Sequence, residues 1–493
     1  MNRREAIKRG CVGLWACVLA RPGLAVEDSA RRRLPIPRLQ QARGEDPIEL
    51  VMKAGRSEII PGVATDTWGF NGAHLGPTVR VRRGQDVSLT YRNGLDEPVA
   101  VHGHGLHVAG NVDGGPQQLI EPGDSWAPTL PIRQRAATSW YHPHTHGRTG
   151  YQVYHGLAGL LIIDDDVSDE LPLPKTYGVD DIPVIVQDRT IDRGGRLVYE
   201  PSDDDDGFLA DTITVNGISD ALATVPAGLV RLRVLNGSNA RFYRFRFADD
   251  RIFHKIATDG GFLEEPVPIR DMVMVPGERN EVLVDFSDGR PARLVSSTRE
   301  FKGESRWRWD DRRHRNDWDD WGPGGLSDAF EILTIDVDPE LEPEALHVPK
   351  RLDAIERPTR EPDWPVRRFE LSMDMDDDDR RGAHGFMTIN DRPMDFAIIN
   401  ERVRRGQWER WKIESDDGSH PFHIHGCSFL VVSQDGRTVP ADNAGWKDTV
   451  WVDDRTELLV KFEHEATPEF PYMYHCHILE HEDRGMMGQF TVT

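Results

Sequence analysis

An all-β protein built as three β-sandwich domains is what this sequence predicts, and three observations predict it. Short runs of alternating apolar and polar residues, such as LAGLLIID, EVLVDF, FEILTIDV and QFTVT, recur along the chain and read as half-buried strands. Sustained helical periodicity is missing, while 45 glycines and 33 prolines punctuate the chain with turns. One turn-and-strand phrase also occurs three times: VRRGQDVSLTYRNG from Val81, VPAGLVRLRVLNG from Val225 and VRRGQWERWKIES from Val403.

Taken from the start, MNRREAIKRG is basic and carries the pair Arg3-Arg4, CVGLWACVLA is a short apolar run, and Gly23-Leu24-Ala25 supplies small residues for cleavage. Residues 1–25 are therefore expected to be a twin-arginine export signal, which places the rest in the periplasm or otherwise outside the cytoplasm of a bacterium. The twin-arginine export machinery is then one partner, and it moves proteins already folded. No later apolar run is long enough to span a bilayer. At roughly 150 residues per domain, 493 residues suit about three. The expected domains are 40–166, 170–340 and 365–493, divided at the Pro- and acid-rich stretches PLPKTYGVDDIP and DPELEPEALHVPK. A formal charge of −23 argues against nucleic acid and anionic membranes as partners. The chain is expected to be a monomer.

The three copies of the repeated phrase lead into different sequences. The first leads into VHGHGLH and the third into HPFHIHG, but the second gives NGSNARFYRFRF, without a histidine. The metal chemistry is therefore expected from the first and last domains, with the middle one a spacer.

Four histidine clusters carry that chemistry: His102-Gly-His104, His144-Thr-His146 within WYHPHTHG, His420-Pro-Phe-His423-Ile-His425, and His475-Cys476-His477 followed by His481 and Met486. On a strand, residues i and i+2 share a face, so a His-x-His pair directs two imidazoles into one cavity. In His-Cys-His the rings face one way and the sulfur the other, so one strand serves two metal sites. Cys476, His420, His481 and Met486 offer one thiolate, two imidazoles and a weak thioether, the donor set of a blue type 1 copper centre. The other eight histidines, His102, His104, His144, His146, His423, His425, His475 and His477, exceed what one or two ions need. Three coppers with two, three and three histidines account for them, at an interface of the first and third domains. A one-electron acceptor joined to a three-copper site suits the four-electron reduction of O2. Cys11 and Cys17 fall in the signal, leaving Cys427, read as a small buried residue, and Cys476.

The phrases HGHG, WYHPHTHG, HPFHIHG and HCHILEHEDRGMM, with TVNG, RVLNGSNARFYRF and VPGERNEVLVDF in the middle, strongly resemble the three-domain multicopper oxidases, the family of laccases, ascorbate oxidase and bacterial cuprous oxidases. The resemblance covers nearly the whole mature chain. It implies three cupredoxin-like Greek-key sandwiches and four copper ions. By that likeness His102 and His423 hold the type 2 copper, His104, His144 and His477 one type 3 copper, and His146, His425 and His475 the other. Asp113 and Glu482 match acidic positions of the family near the oxygen site, and a proton relay is the role this implies.

Asp416, four residues before His420, reads as a partner orienting that imidazole, a contact for a cationic substrate, or a solvated acid. His142 precedes the His144–His146 pair and is displaced from it by a proline, while His74, His107, His155, His254, His314, His347, His384 and His464 lack a partner spacing; all are expected to be structural. The substrate end is less marked. Cuprous oxidases of this type carry a methionine-rich insert where this chain has LSMDMDDDDRRGAHGFM, rich in aspartate. Met373, Met375 and Asp376 to Asp379 form either an outer metal site or a solvated acidic loop. RWRWDDRRHRNDWDDW, Arg306 to Trp321, reads as a surface hairpin or an aromatic lid. The expected function is a copper oxidoreductase with O2 as acceptor, laccase-like towards phenols and aromatic amines. A metallo-oxidase for Cu(I), Fe(II) or Mn(II) is the alternative, and a non-catalytic copper-binding or envelope protein on the same fold is the rival from another class.

Overall fold

The computed structural model describes residues 31–42, 44, 46–201, 207–296, 330–359, 363–374, 386–415 and 418–493. The expected export signal, Asp416, Met375, Asp376 to Asp379 and Arg306 to Trp321 lie outside these residues. Strands dominate, and the helices that bear on the site are the short Thr149–Tyr154 and Leu479–Asp483. Among the described residues the strands form six sheets, two drawn mainly from each third of the chain, as the all-β reading anticipates.

The repeated phrase is a corner. In the first third it carries the chain from Thr78–Arg82, in one sheet, to Asp86–Asn93, in the other. In the last third it does the same between Glu401–Val403 and Glu409–Ser415, and in the middle between Ala221–Pro226 and Leu229–Asn236. Gly84 at φ 96° and Gly406 at φ 75° occupy the left-handed region that a side chain would strain.

Between the paired sheets lie three apolar cores. Leu50, Val79, Leu89 and Leu161 fill the first, Val184, Leu232, Phe245 and Leu333 the second, and Phe369, Trp411, Phe422, Tyr474 and Phe490 the third. In Glu409–Ser415 burial alternates residue by residue, the mark of a strand with one face on a core.

Leu229–Asn236 breaks that rule, because every residue in it is buried. Val230, Leu232 and Val234 enter the second core, while Arg231 and Arg233 are buried on the other face. There Glu281 and Asp181 neutralise them, and Arg233 donates at 2.8 Å to Thr138 of the strand Ala137–Pro143. The chain also enters the fold earlier than the expected residue 40. Arg32–Arg33 pairs in parallel with Ala221 and Leu222 of the middle third.

Candidate metal centre

Two antiparallel strands set the geometry. His420–Ile424 pairs with Tyr472–Cys476 in a register that puts Phe422 opposite Cys476 and His423 opposite His475. Directly opposed residues share a face, and i, i+2 positions share it too. His420, Phe422 and Cys476 therefore belong to one side of the ladder, and His423, His425, His475 and His477 to the other.

On the first side, Cys476 Sγ lies 3.5 Å from His420 Nδ1 and 3.6 Å from His481 Nδ1, and the two nitrogens are 3.3 Å apart. A point equidistant from the three lies about 2 Å from each, the length of a metal–imidazole bond. His481 reaches the site because Leu479–Asp483 is a single helical turn following the strand. Met486 is buried in the same core as Cys476, and its carbonyl accepts the Cys476 N–H at 3.0 Å. Burial pushes the Cys476 thiol well above its usual range, against which the Ile478 N–H donates to the sulfur at 3.4 Å. A thiolate here needs a cation beside it, so the donor set and its spacing fit a soft metal ion.

On the second side, eight histidines converge, all buried. Their ligating atoms fall into the groups His102, His423 and His425; His104, His142 and His477; and His144, His425 and His475. In the last group the three Nε2 atoms stand 3.2, 3.3 and 3.3 Å apart. His102 stacks on His425 at 3.8 Å between centroids, and His104 on His423 at 3.7 Å. His102 Nδ1 donates to the Asp113 carbonyl and His423 Nδ1 to that of Asp448, which leaves both Nε2 atoms buried without a hydrogen-bond partner. Orphaned buried nitrogens are rare in folded proteins and fit metal ligation. Burial, reinforced by neighbouring rings, lowers His104, His142, His144, His423, His425 and His475 well below the usual imidazole range, so they are neutral, as ligands must be.

His142, expected to be structural, is in this cluster, and His146 is not. The strand Ala137–Pro143 pairs with Val101–His104 so that His142 opposes His102, on the cluster face. The strand ends at Pro143, and the turn after it sets the half-buried His146 against Phe396, at 5.3 Å between ring centroids. The groups expected as His104, His144 and His477 and as His146, His425 and His475 are thus His104, His142 and His477 and His144, His425 and His475.

The chain is similar to known proteins along nearly its whole length. Profiles described as multicopper oxidase match residues 52–168 and 366–493. The solved laccase-like multicopper oxidase CueO of Ochrobactrum sp. is 38% identical, with a TM-score of 0.83 over 93% of this chain and 100% of that one. The chain belongs to the multicopper oxidase family. The McoA multicopper oxidase of Aquifex aeolicus, 31% identical, has a TM-score of 0.80 over 94% of this chain and 100% of its own. Over 99% of its length the chain is also 39% identical to the cell division protein FtsP of Dickeya dadantii, covering 98% of that protein. As in other multicopper oxidases, copper is the metal the family implies, and its sandwiches are cupredoxin-like. No described helix is long and apolar enough to cross a membrane.

Carboxylates surround the rings of this multicopper oxidase. Asp113 accepts from His425 Nδ1 at 2.7 Å and lies 3.5 Å from His102 Nδ1. Glu482 lies 3.3 Å from Nδ1 of both His144 and His475, and Thr149 donates to it at 2.8 Å. Burial, with Asp483 nearby, holds Glu482 well above the usual carboxylate range, and burial brings Asp483 up to about 7. Asp448, missed in the sequence, lies 3.0 Å from His104 Nε2. Its one visible signal is WKDTV, a charged pair set directly before the strand Thr449–Val452. Asp416 lies outside the described residues. Met373 does not: a Cβ built on Gly418 would meet its methyl at 3.3 Å and His420 Nε2 at 3.8 Å, so the thioether borders the sulfur site.

Proposed function

We propose that this chain is an exported copper oxidase that couples four one-electron oxidations of a donor to the reduction of O2 to two waters. The carrying observation is that one strand, Tyr472–Cys476, presents Cys476 to one donor set and His475 to another. His420, Cys476, His481 and Met486 would hold a type 1 copper, His102 and His423 a type 2 copper, and the two groups of three histidines the type 3 pair. When bound, these ions supply one-electron acceptance at the sulfur and multi-electron transfer to O2 at the histidines.

The chain's own side chains do the rest. The peptide links of Cys476 join the two donor sets, and the Nδ1–H of His475 donates to the Cys476 carbonyl at 3.0 Å, which fixes that ring. Asp113 accepts from His425 Nδ1, Glu482 lies 3.3 Å from Nδ1 of His144 and of His475, and these two carboxyl groups would hold the protons that O2 reduction consumes. Burial of every ring keeps bulk water from the donor atoms.

At the other end, Met373 and His420 form the wall a donor would meet. Phenols and aromatic amines are the favoured donors, and the Ochrobactrum enzyme is described as acting on lignin model compounds and lignosulfonate. Cu(I), Fe(II) or Mn(II) are the alternative donors. A second reading, a role in cell division, is supported by the full-length likeness to FtsP. Copper content, the visible spectrum and oxygen uptake with an aromatic diamine test the first reading. Four coppers per chain, an intense thiolate band and oxygen consumption are expected. A metal-replete chain that leaves oxygen untouched with phenols, diamines and metal ions alike overturns it, and rescue of a division defect by the Cys476→Ser chain would then favour the second.

A further inference from the structure

The middle third of the chain brings no histidine to the cluster, yet it reaches into it. Arg279 opens the strand Arg279–Asp285 and is fully buried. Its Nη1 donates to Asp448 Oδ1 at 2.7 Å, and its Nη2 to Asp448 Oδ2. Its Nε donates to the Thr138 carbonyl at 3.0 Å. Asp259, also from the middle third, accepts the Arg279 N–H at 2.8 Å and lies 3.3 Å from Lys447 Nζ, while Glu278 pairs with Lys447 at 2.8 Å. Room for this assembly is built into the backbone. A Cβ on Gly105, at φ 82°, would come within 2.5 Å of Asp448 Oδ2 and 2.6 Å of Arg279 Nη2, and one on Gly277 would press on the His477 ring at 2.8 Å.

Asp448 is the pivot. Its carboxylate accepts from His104 Nε2 at 3.0 Å, and its main-chain carbonyl accepts from His423 Nδ1 at 2.8 Å. These bonds assign the proton of each ring. His104 carries it on Nε2 and offers Nδ1, the atom 3.3 Å from His142 Nε2; His423 carries it on Nδ1 and offers Nε2. The guanidinium fork of Arg279 satisfies both oxygens of this buried carboxylate with fixed geometry.

We propose that Arg279 is a positioning residue of the histidine cluster: by clamping Asp448 it sets the tautomer and orientation of His104, from the first third, and fixes the carbonyl that orients His423, from the last. This rests on the copper reading above. The middle third is then part of the metal centre rather than a spacer.

The test is a titration of metal-free full-length protein with chelator-buffered copper. The thiolate band reports the sulfur site, and copper retained after desalting, with the paramagnetic signal of Cu(II) on imidazoles, reports the histidines. Arg279→Lys keeps the charge but loses the fork. It is expected to raise the free copper needed to fill the histidine sites about 10- to 100-fold, the usual effect of losing a partner that orients a ligand, with the midpoint of the thiolate band unmoved. Asp448→Asn is expected to do the same, and the double variant to be no worse than Asp448→Asn alone. Unchanged histidine midpoints in Arg279→Lys overturn the proposal. So do equal losses at both sites, which signify general loosening, and so do additive effects in the double variant. A wild-type chain that binds no copper at its histidines instead removes the oxidase reading itself.

Discussion

The two donor sets on either side of Tyr472–Cys476 are built in opposite ways. The sulfur site takes Cys476, His481 and Met486 from one short stretch and His420 from the adjoining strand, all within the last third of the chain. The histidine site joins side chains from Val101–His104 to the C-terminal strand, with Arg279 behind them from the middle. A site made from one sandwich inherits its precision from a single core, whereas a site made between sandwiches depends on how they are held together.

The largest expected effect separates the two outright. His142→Ala should strip copper from the histidine site and stop oxygen uptake while the thiolate band persists; Cys476→Ser should abolish the band and turnover while the histidine-bound Cu(II) signal remains. Metal analysis with visible and paramagnetic spectra of both variants checks the pair, and loss of both signals in either one would show that the two sites are not separable. Next, Glu482→Gln keeps the hydrogen-bond shape but cannot take up a proton. Turnover should fall about 10²-fold, the low end for a lost acid–base group, with copper content and thiolate band intact.

A third effect probes the joint between sandwiches. Burial drives the Glu281 carboxyl up, but Arg231 and Arg233 outweigh it and bring it down to about 2 from 4.5. A depressed carboxyl stabilises the fold fully above its unfolded value and loses that contribution as pH falls through the folded one. Between about pH 4.5 and pH 2 the pair should therefore give up about 3 kcal/mol. Denaturant melts at stepped pH should show this loss in the wild type and a shallower one in Glu281→Gln. The smallest effect is none at all: His146→Ala should leave copper content, spectrum and oxygen uptake unchanged, and a loss of copper there would restore the grouping expected from the sequence.

That last variant marks where the sequence stops being legible. The all-β class, the three repeated corners and the sulfur donors are readable because strand parity and loop spacing are local properties. WYHPHTHG defeats the same reasoning. His142, His144 and His146 all share parity, and the choice among them is made by the end of the strand at Pro143 and by pairing to Val101–His104, which no local pattern records. Asp448 and Arg279 are hidden for the same reason, since each acquires its meaning from a residue more than 150 positions away. The middle third reads as a spacer because its contribution is made through charge and backbone room instead of ligands. Asp113 and Glu482 are visible through family likeness; in the structure Asp113 accepts from His425, and Glu482 stands 3.3 Å from His144 and His475.

The ladder between His420–Ile424 and Tyr472–Cys476 has a bearing on inheritance. A one-residue deletion in Tyr472–Cys476 would turn the thiol and its neighbouring imidazoles to each other's side in a single event, and one in His420–Ile424 would do the same to His420 against His423 and His425. The two centres therefore share one fate under insertion or deletion at this ladder, so descendants of this chain are expected to keep both or lose both, while substitutions alone can erode one at a time.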